Sequence, residues 1–195
     1  MLTPHHRIDL PVEFTPWISR SDPRFSPQDQ TNTREIEIGR SEYSSVNRSL
    51  VLWLLEQDLV VDSVRVFRSV PMDHYHLHRD LAPHAPLDTA VVKLNFIYHS
   101  WGSRMQWYTL KPGRTAGQWL NPSGVVSQHY RPEDCDLVWD TECDQHCLIN
   151  GGEIHTLKNT ENQGQPRMAY SWVINNREGT LTYAKAVAQL LPWLS

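Results

Sequence analysis

Cysteine, long apolar runs and clusters of basic residues are all scarce in this 195-residue chain. Its three cysteines, Cys135, Cys143 and Cys147, are an odd number set close together with no Cys-x-x-Cys pair. That excludes a disulfide scaffold and points to a reducing, cytoplasmic setting. No apolar stretch approaches the length of a membrane span, and Met1-Leu2-Thr3-Pro4-His5-His6 does not read as a signal peptide, so no membrane association is expected. There is no Lys/Arg run and the formal charge is -4, which argues against a nucleic-acid partner. Internal repeats are missing too, and so is any Ser/His/Asp or Cys/His set suited to nucleophilic catalysis.

What the chain does have is eight Trp, ten His and 39% hydrophobic residues, enough for one domain with a real core. A single domain over 1–195 divides into an extended arm at 1–43, a β-rich core at 60–175 and a closing helix at 180–193. The arm is punctuated by Pro4, Pro11, Pro16, Pro23 and Pro27, with short strands expected at Ile8-Asp9-Leu10 and Glu35-Ile36-Glu37-Ile38. Ser44 and Ser45 can cap a helix in which Val46, Leu50, Trp53 and Leu54 recur at helical spacing, ending near Asp58.

From there the pattern has a period of two. Strands are expected at Val60 to Val70, Val91 to Tyr98, Met105 to Leu110, Val125 to Tyr130, Cys135 to Trp139, Cys147 to Asn150, Ile154 to Lys158 and Met168 to Ile174. About eight strands after one early helix predict a mainly β protein, a barrel or jelly roll with a few flanking helices. Thr180 caps a last helix with Leu181, Ala184, Ala188 and Leu191 on one face.

Two segments carry chemistry. In His74-Tyr75-His76-Leu77-His78-Arg79-Asp80, an extended backbone puts His74, His76, His78 and Asp80 on one side, because strand side chains alternate. In Asn150-Gly151-Gly152-Glu153-Ile154-His155, the glycine pair turns the chain into a strand that begins near His155. The turn-rich run Asn159 to Pro166 predicts a hairpin that returns Arg167 beside His155. Two imidazoles and a carboxylate on one face of a metal leave its other positions open, as non-haem iron(II) oxygenases require. The planar fork of Arg167 suits the far carboxylate of an acidic co-substrate. Zinc held by Cys143, Cys147 and His146 is a separate reading of the cysteine group, beside plain strand or loop cysteines.

The ordered pieces His78-Arg79-Asp80, Leu94-Asn95-Phe96-Ile97, Met105-Gln106-Trp107-Tyr108, Gly152-Glu153-Ile154-His155-Thr156-Leu157-Lys158-Asn159 and Arg167-Met168-Ala169-Tyr170-Ser171 resemble the iron(II)/2-oxoglutarate-dependent dioxygenases. Within that superfamily they are most similar to the aspartyl/asparaginyl β-hydroxylase-like and phytanoyl-CoA-hydroxylase-like groups. The resemblance covers roughly residues 60 to 175. It implies a double-stranded β-helix with the site in its mouth, iron(II) held by His78, Asp80 and His155, and 2-oxoglutarate held by Arg167 with Ser171 and, more loosely, Asn95. The implied reaction consumes O2, hydroxylates an unactivated C–H of a small molecule or peptide, and releases succinate and CO2.

Two rival readings use the same fold. A cupin would bind its metal through His74, His76, Asp80 and His155, with no need for Arg167. A metal-free jelly-roll binding module would need none of these residues. Trp101, Trp107, Tyr108 and Trp119 either wall a substrate or pack a core. The arm and the Gly113 to Gly124 loop, with Arg114, Gln118 and Trp119, are expected to cover the mouth and set specificity.

Overall fold

Most core strands of this protein lie in the opposite sheet from the strand before them, and that crossing between sheets defines the fold. In the computed structural model, residues 2–25, 33–69, 76–81, 91–99, 101–120, 126–161 and 166–195 are described. Their strands are β1 (His5–Arg7), β2 (Thr33–Ile38), β3 (Val60–Ser69), β4 (Leu77–Asp80), β5 (Val92–Tyr98), β6 (Trp101–Leu110), β7 (Gly117–Leu120), β8 (Val126–Tyr130), β9 (Cys135–Glu142), β10 (Cys147–Asn150), β11 (Ile154–Glu161) and β12 (Arg167–Asn175). One six-stranded sheet has the order β1-β10-β5-β12-β3-β2, and the other β7-β8-β4-β11-β6-β9. Every pairing is antiparallel. Setting aside the β7–β8 hairpin, strands β3 to β6 and β9 to β12 interleave as β10-β5-β12-β3 over β4-β11-β6-β9. This is the double-stranded β-helix that the resemblance implies, a mainly β jelly roll as the strand pattern predicts.

The period-two pattern of β5 and β12 explains where the core lies. Leu94 and Phe96, with Met168, Tyr170, Trp172 and Ile174, point to the outer face of the first sheet and join one large apolar cluster. Helices α1 (Arg40–Val46), α2 (Arg48–Glu56) and α3 (Tyr183–Leu190) cover that face, together with Phe14, Ile18 and Phe25 of the N-terminal segment. The alternate positions face the interior, where Ile97, Ile149 and Ala169 meet Met105 and Trp107 of the opposite sheet. No helix among the described residues is long and apolar enough to cross a membrane.

Several expectations need correction. The first strand is His5–Arg7, and Ile8 makes only an isolated bridge to Leu194. The early helix begins at Arg40 behind Gly39 and is broken at Asn47, whose amide oxygen and nitrogen bond the backbone of Thr15. Thr182, rather than Thr180, caps α3 by accepting from the Lys185 N–H. Its buried face is Tyr183, Ala186, Val187 and Leu190, leaving Leu191 exposed. Part of the loop expected from Gly113 to Gly124 is strand β7. The N-terminal arm packs behind the first sheet instead of over the mouth.

Candidate metal centre

His78 and His155 are cross-strand partners on β4 and β11, and Asp80 follows His78 on the same face. Partners in an antiparallel pair project to the same side of the sheet. The two imidazole rings therefore lie 4.4 Å apart, and one ligand atom from each of His78, Asp80 and His155 falls within 4.8 Å of the others. His155 Nε2 is 3.5 Å from one Asp80 oxygen and His78 Nε2 is 4.0 Å from the other.

Hydrogen bonding fixes which nitrogen of each ring is available. His155 Nδ1 lies 2.8 Å from the Glu153 carbonyl oxygen, and His78 Nδ1 lies 3.0 Å from that of His76. A carbonyl only accepts, so each Nδ1 carries a proton and each Nε2 is the nitrogen turned toward Asp80. Burial, with the neighbouring His78, lowers the His155 pKa to about 3, so this ring is neutral at physiological pH. Burial opposes ionisation of Asp80, yet Lys93, His155 and His78 outweigh it and hold the carboxyl well below the usual range.

Lys93 was not among the sequence candidates. It reaches across the interior from β5, and its Nζ donates to Asp80 at 2.6 Å. The available signal was a lysine in the otherwise buried run Val91-Val92-Lys93-Leu94, a position where lysine is rare without a partner. Gly151 is the second omission. A Cβ there would meet the Asp80 carboxylate at 2.6 Å, so the glycine serves close approach of the carboxylate as well as a turn. The Gly151 carbonyl also accepts from the Asp80 N–H at 2.9 Å.

Arg167, Ser171 and Asn95 all face the interior, but from the sheet opposite His155. The expected hairpin does not form: β11 pairs with β4 and β6, while β12 pairs with β3 and β5. Each strand already has two neighbours, so the chain crosses between sheets after β11. Ser171 and Asn95 are cross-strand partners. Arg167 is buried, and its terminal nitrogen donates to Cys143 Sγ at 3.6 Å. Buried Asn95 Oδ1 and Arg167 Nε make no hydrogen bond within the protein. Cys143 in turn donates its backbone N–H to Ser103, which pairs with Asn159. Arg167 and His155 thus face the interior from opposite sheets.

The remaining candidates separate. His76 is exposed, with its ring 5.7 Å from that of His129 and outside the ligand group. His74 lies outside the described residues. His146 does not join the cysteines: its ring packs against Phe96 and Tyr98 and accepts from the Ile97 N–H, because Phe96 belongs to the outer face of the sheet. Trp107 is interior core beside His155, and Tyr108 packs in a separate cluster with Leu77. The side chains of Trp101, Gln118 and Trp119 lie outside the described residues. A cavity of about 590 Å³ is lined by His76, Arg114 and His129, the cross-strand partner of His78, among others. Arg114 is paired with Asp134 at 3.1 Å.

Fold and side chains together describe a double-stranded β-helix with a His-Asp-His group able to hold a metal. No family model and no curated protein matches the chain. Among solved structures it is similar to ycfD of E. coli, at 14% identity and a TM-score of 0.41, covering 95% of this chain. The match spans 46% of the ycfD chain, about half its length. An oxalate oxidase follows at 11% identity and a TM-score of 0.34, covering 98% of this chain and 90% of its own. A cysteine peptidase from Thevetia peruviana latex matches at 11% and 0.32, with coverage of 86% and 88%. The fold assignment rests on the strand order above.

Proposed function

We propose that the protein is an iron(II)- and 2-oxoglutarate-dependent dioxygenase that hydroxylates a small molecule or a peptide, with His78, Asp80 and His155 as metal ligands. The observation that carries this reading is the convergence of two Nε2 atoms on one carboxylate, each imidazole oriented by a backbone carbonyl. Two nitrogens and one carboxylate on one side suit iron(II) with open positions opposite. A bound iron would supply oxygen activation, consuming O2 and 2-oxoglutarate and releasing succinate and CO2.

The protein's own part is placement. Asn95, Ser171 and Arg167 form an interior polar row leading away from the triad, and the unpartnered Asn95 Oδ1 and Arg167 Nε fit a polar guest between the sheets. Arg167 would grip the distal carboxylate of 2-oxoglutarate, and Ser171 and Asn95 would line its length. Ile97, Met105, Trp107 and Ala169 keep the surroundings apolar, which excludes water and strengthens each polar contact. Lys93 donates to the carboxylate that would hold the metal, so it would compete with a bound cation for Asp80.

A cupin centre would need His76 and His74 beside Asp80 and His155. The position of His76 outside the ligand group favours the three-residue reading. Anaerobic titration of the metal-free protein with iron(II) and 2-oxoglutarate tests the proposal. The expected outcome is a visible metal-to-ligand charge-transfer band in the wild type that is lost in His155→Ala and in Arg167→Ala. Iron binding without the band favours the cupin, and no iron binding favours a metal-free module.

A further inference from the structure

The interior holds a second group of metal-competent side chains, at the end where Arg167 lies. His5 comes from β1, Cys143 from the turn between β9 and β10, and Cys147 from the first position of β10. One ligand atom of each falls within 4.8 Å of the other two. The two cysteines are fully buried and in no disulfide. Their thiols are hydrogen-bonded to one another.

His5 supplies the independent observation. Its Nε2 is buried with no hydrogen-bond partner, and its ring stands edge-on to Trp107 at a centroid distance of 6.0 Å. A buried nitrogen left unsatisfied is costly, and such an atom in a native core calls for a partner of some kind. Burial, reinforced by His6 and Arg7, lowers the His5 pKa to about 4, which keeps the ring neutral. The hydrogen bond between the two thiols draws the Cys143 thiol down and pushes the Cys147 thiol up, while the Arg167 guanidinium favours the charged form of both. Two thiols and a neutral imidazole are the donors that soft and borderline cations select.

We propose that His5, Cys143 and Cys147 bind a zinc(II)-class cation at a site distinct from the His78–Asp80–His155 centre. On loading, each thiol gives its proton to solvent, and two thiolates, one neutral imidazole and one divalent cation sum to zero charge. That neutrality is what lets the group stay buried. Three protein ligands leave a fourth position for a small exogenous donor. The Arg167 N–H that points at Cys143 Sγ then donates to a metal-bound thiolate, orienting it from the second layer. Loading ties β1, a three-residue edge strand, to the turn that enters β10.

Cobalt(II) titration of the reduced, metal-free full chain under anaerobic conditions decides the matter, because thiolate-bound cobalt has its own intense charge-transfer band. Wild type should bind two equivalents and show that band. His155→Ala should bind one and keep the band. Cys147→Ser and His5→Phe should each lose the band and still bind one equivalent at the triad. If Cys147→Ser fails to fold, His5→Phe carries the test, since a second aromatic ring fits beside Trp107. No thiolate band in wild type, with three thiols per chain counted after unfolding, overturns the proposal. So does a band that survives both variants. One thiol per chain before reduction also overturns it, by showing that Cys143 and Cys147 are a disulfide pair.

Discussion

The two sheets differ in what they expose. The sheet containing β5 and β12 is covered on both faces, and no residue of β12 is exposed. The sheet containing β4 and β11 leaves its edge strand β9 open, with Leu137, Val138 and Trp139 at 51%, 50% and 40% exposure. A polar residue in the open sheet is therefore ordinary, while one inside the covered sheet requires an explanation. Lys93, Asn95, Arg167 and Ser171 are such residues, and all four face the interior. The covered sheet is thus a scaffold that also lends a polar inner row, and the open sheet presents the histidines.

Truncation at the heart of the covered sheet tests the contrast most severely. Trp172 is fully buried in the large cluster, and Trp172→Ala should cost about 3–5 kcal/mol in urea unfolding. Acid should come next. The His155 pKa is lowered to about 3 from 6.5, so the unfolded chain takes up a proton that the folded chain refuses. The stability of the metal-free protein should then be full above pH 6.5 and fall through the window down to about 3, losing about 2 kcal/mol by pH 5. In His155→Phe this limb should shrink, as denaturant melts at a series of pH values would reveal.

Lys93→Met joins the two sheets in one experiment. Removing an ammonium 2.6 Å from Asp80 deletes a competitor for the carboxylate and a like charge beside any cation. Cobalt should bind the triad several-fold more tightly, and weaker binding would show that Lys93 organises the ligands instead. The smallest effect belongs to the open edge: Trp139→Ser should stay within about 0.5 kcal/mol of wild type in the same melts.

Much of the architecture was legible because the alternating strands keep their period to the end. Cys147–Asn150 is a strand with the bounds read from the sequence; His78 and Asp80 share a face as the alternation of His78-Arg79-Asp80 suggested, and His155 meets them as the family resemblance implied. The partners of strands were harder to read. Turn-forming residues between β11 and β12 look the same whether the chain folds back in one sheet or crosses to the other, so Arg167 was placed on the wrong sheet. Among residues near in sequence, only His146 was weighed as a companion of Cys143 and Cys147, beside plain strand or loop cysteines. The actual neighbour, His5, is far away in sequence and arrives only through the pairing of β1 with β10. Gly151 and Lys93 escaped for a related reason, since each acts on Asp80 through space.

The crossing between sheets gives the interior the character of a calliper. One jaw carries His155 and the other carries Arg167, and Ile97, Met105, Trp107 and Ala169 are the spacers that hold the jaws apart. Because no turn links the two residues within one sheet, the reach between them is graded by the size of these spacers. Under the proposed function, a guest bridging the two jaws would be selected by length before any polar group is tested, and a larger side chain at Ala169 would reset the gauge.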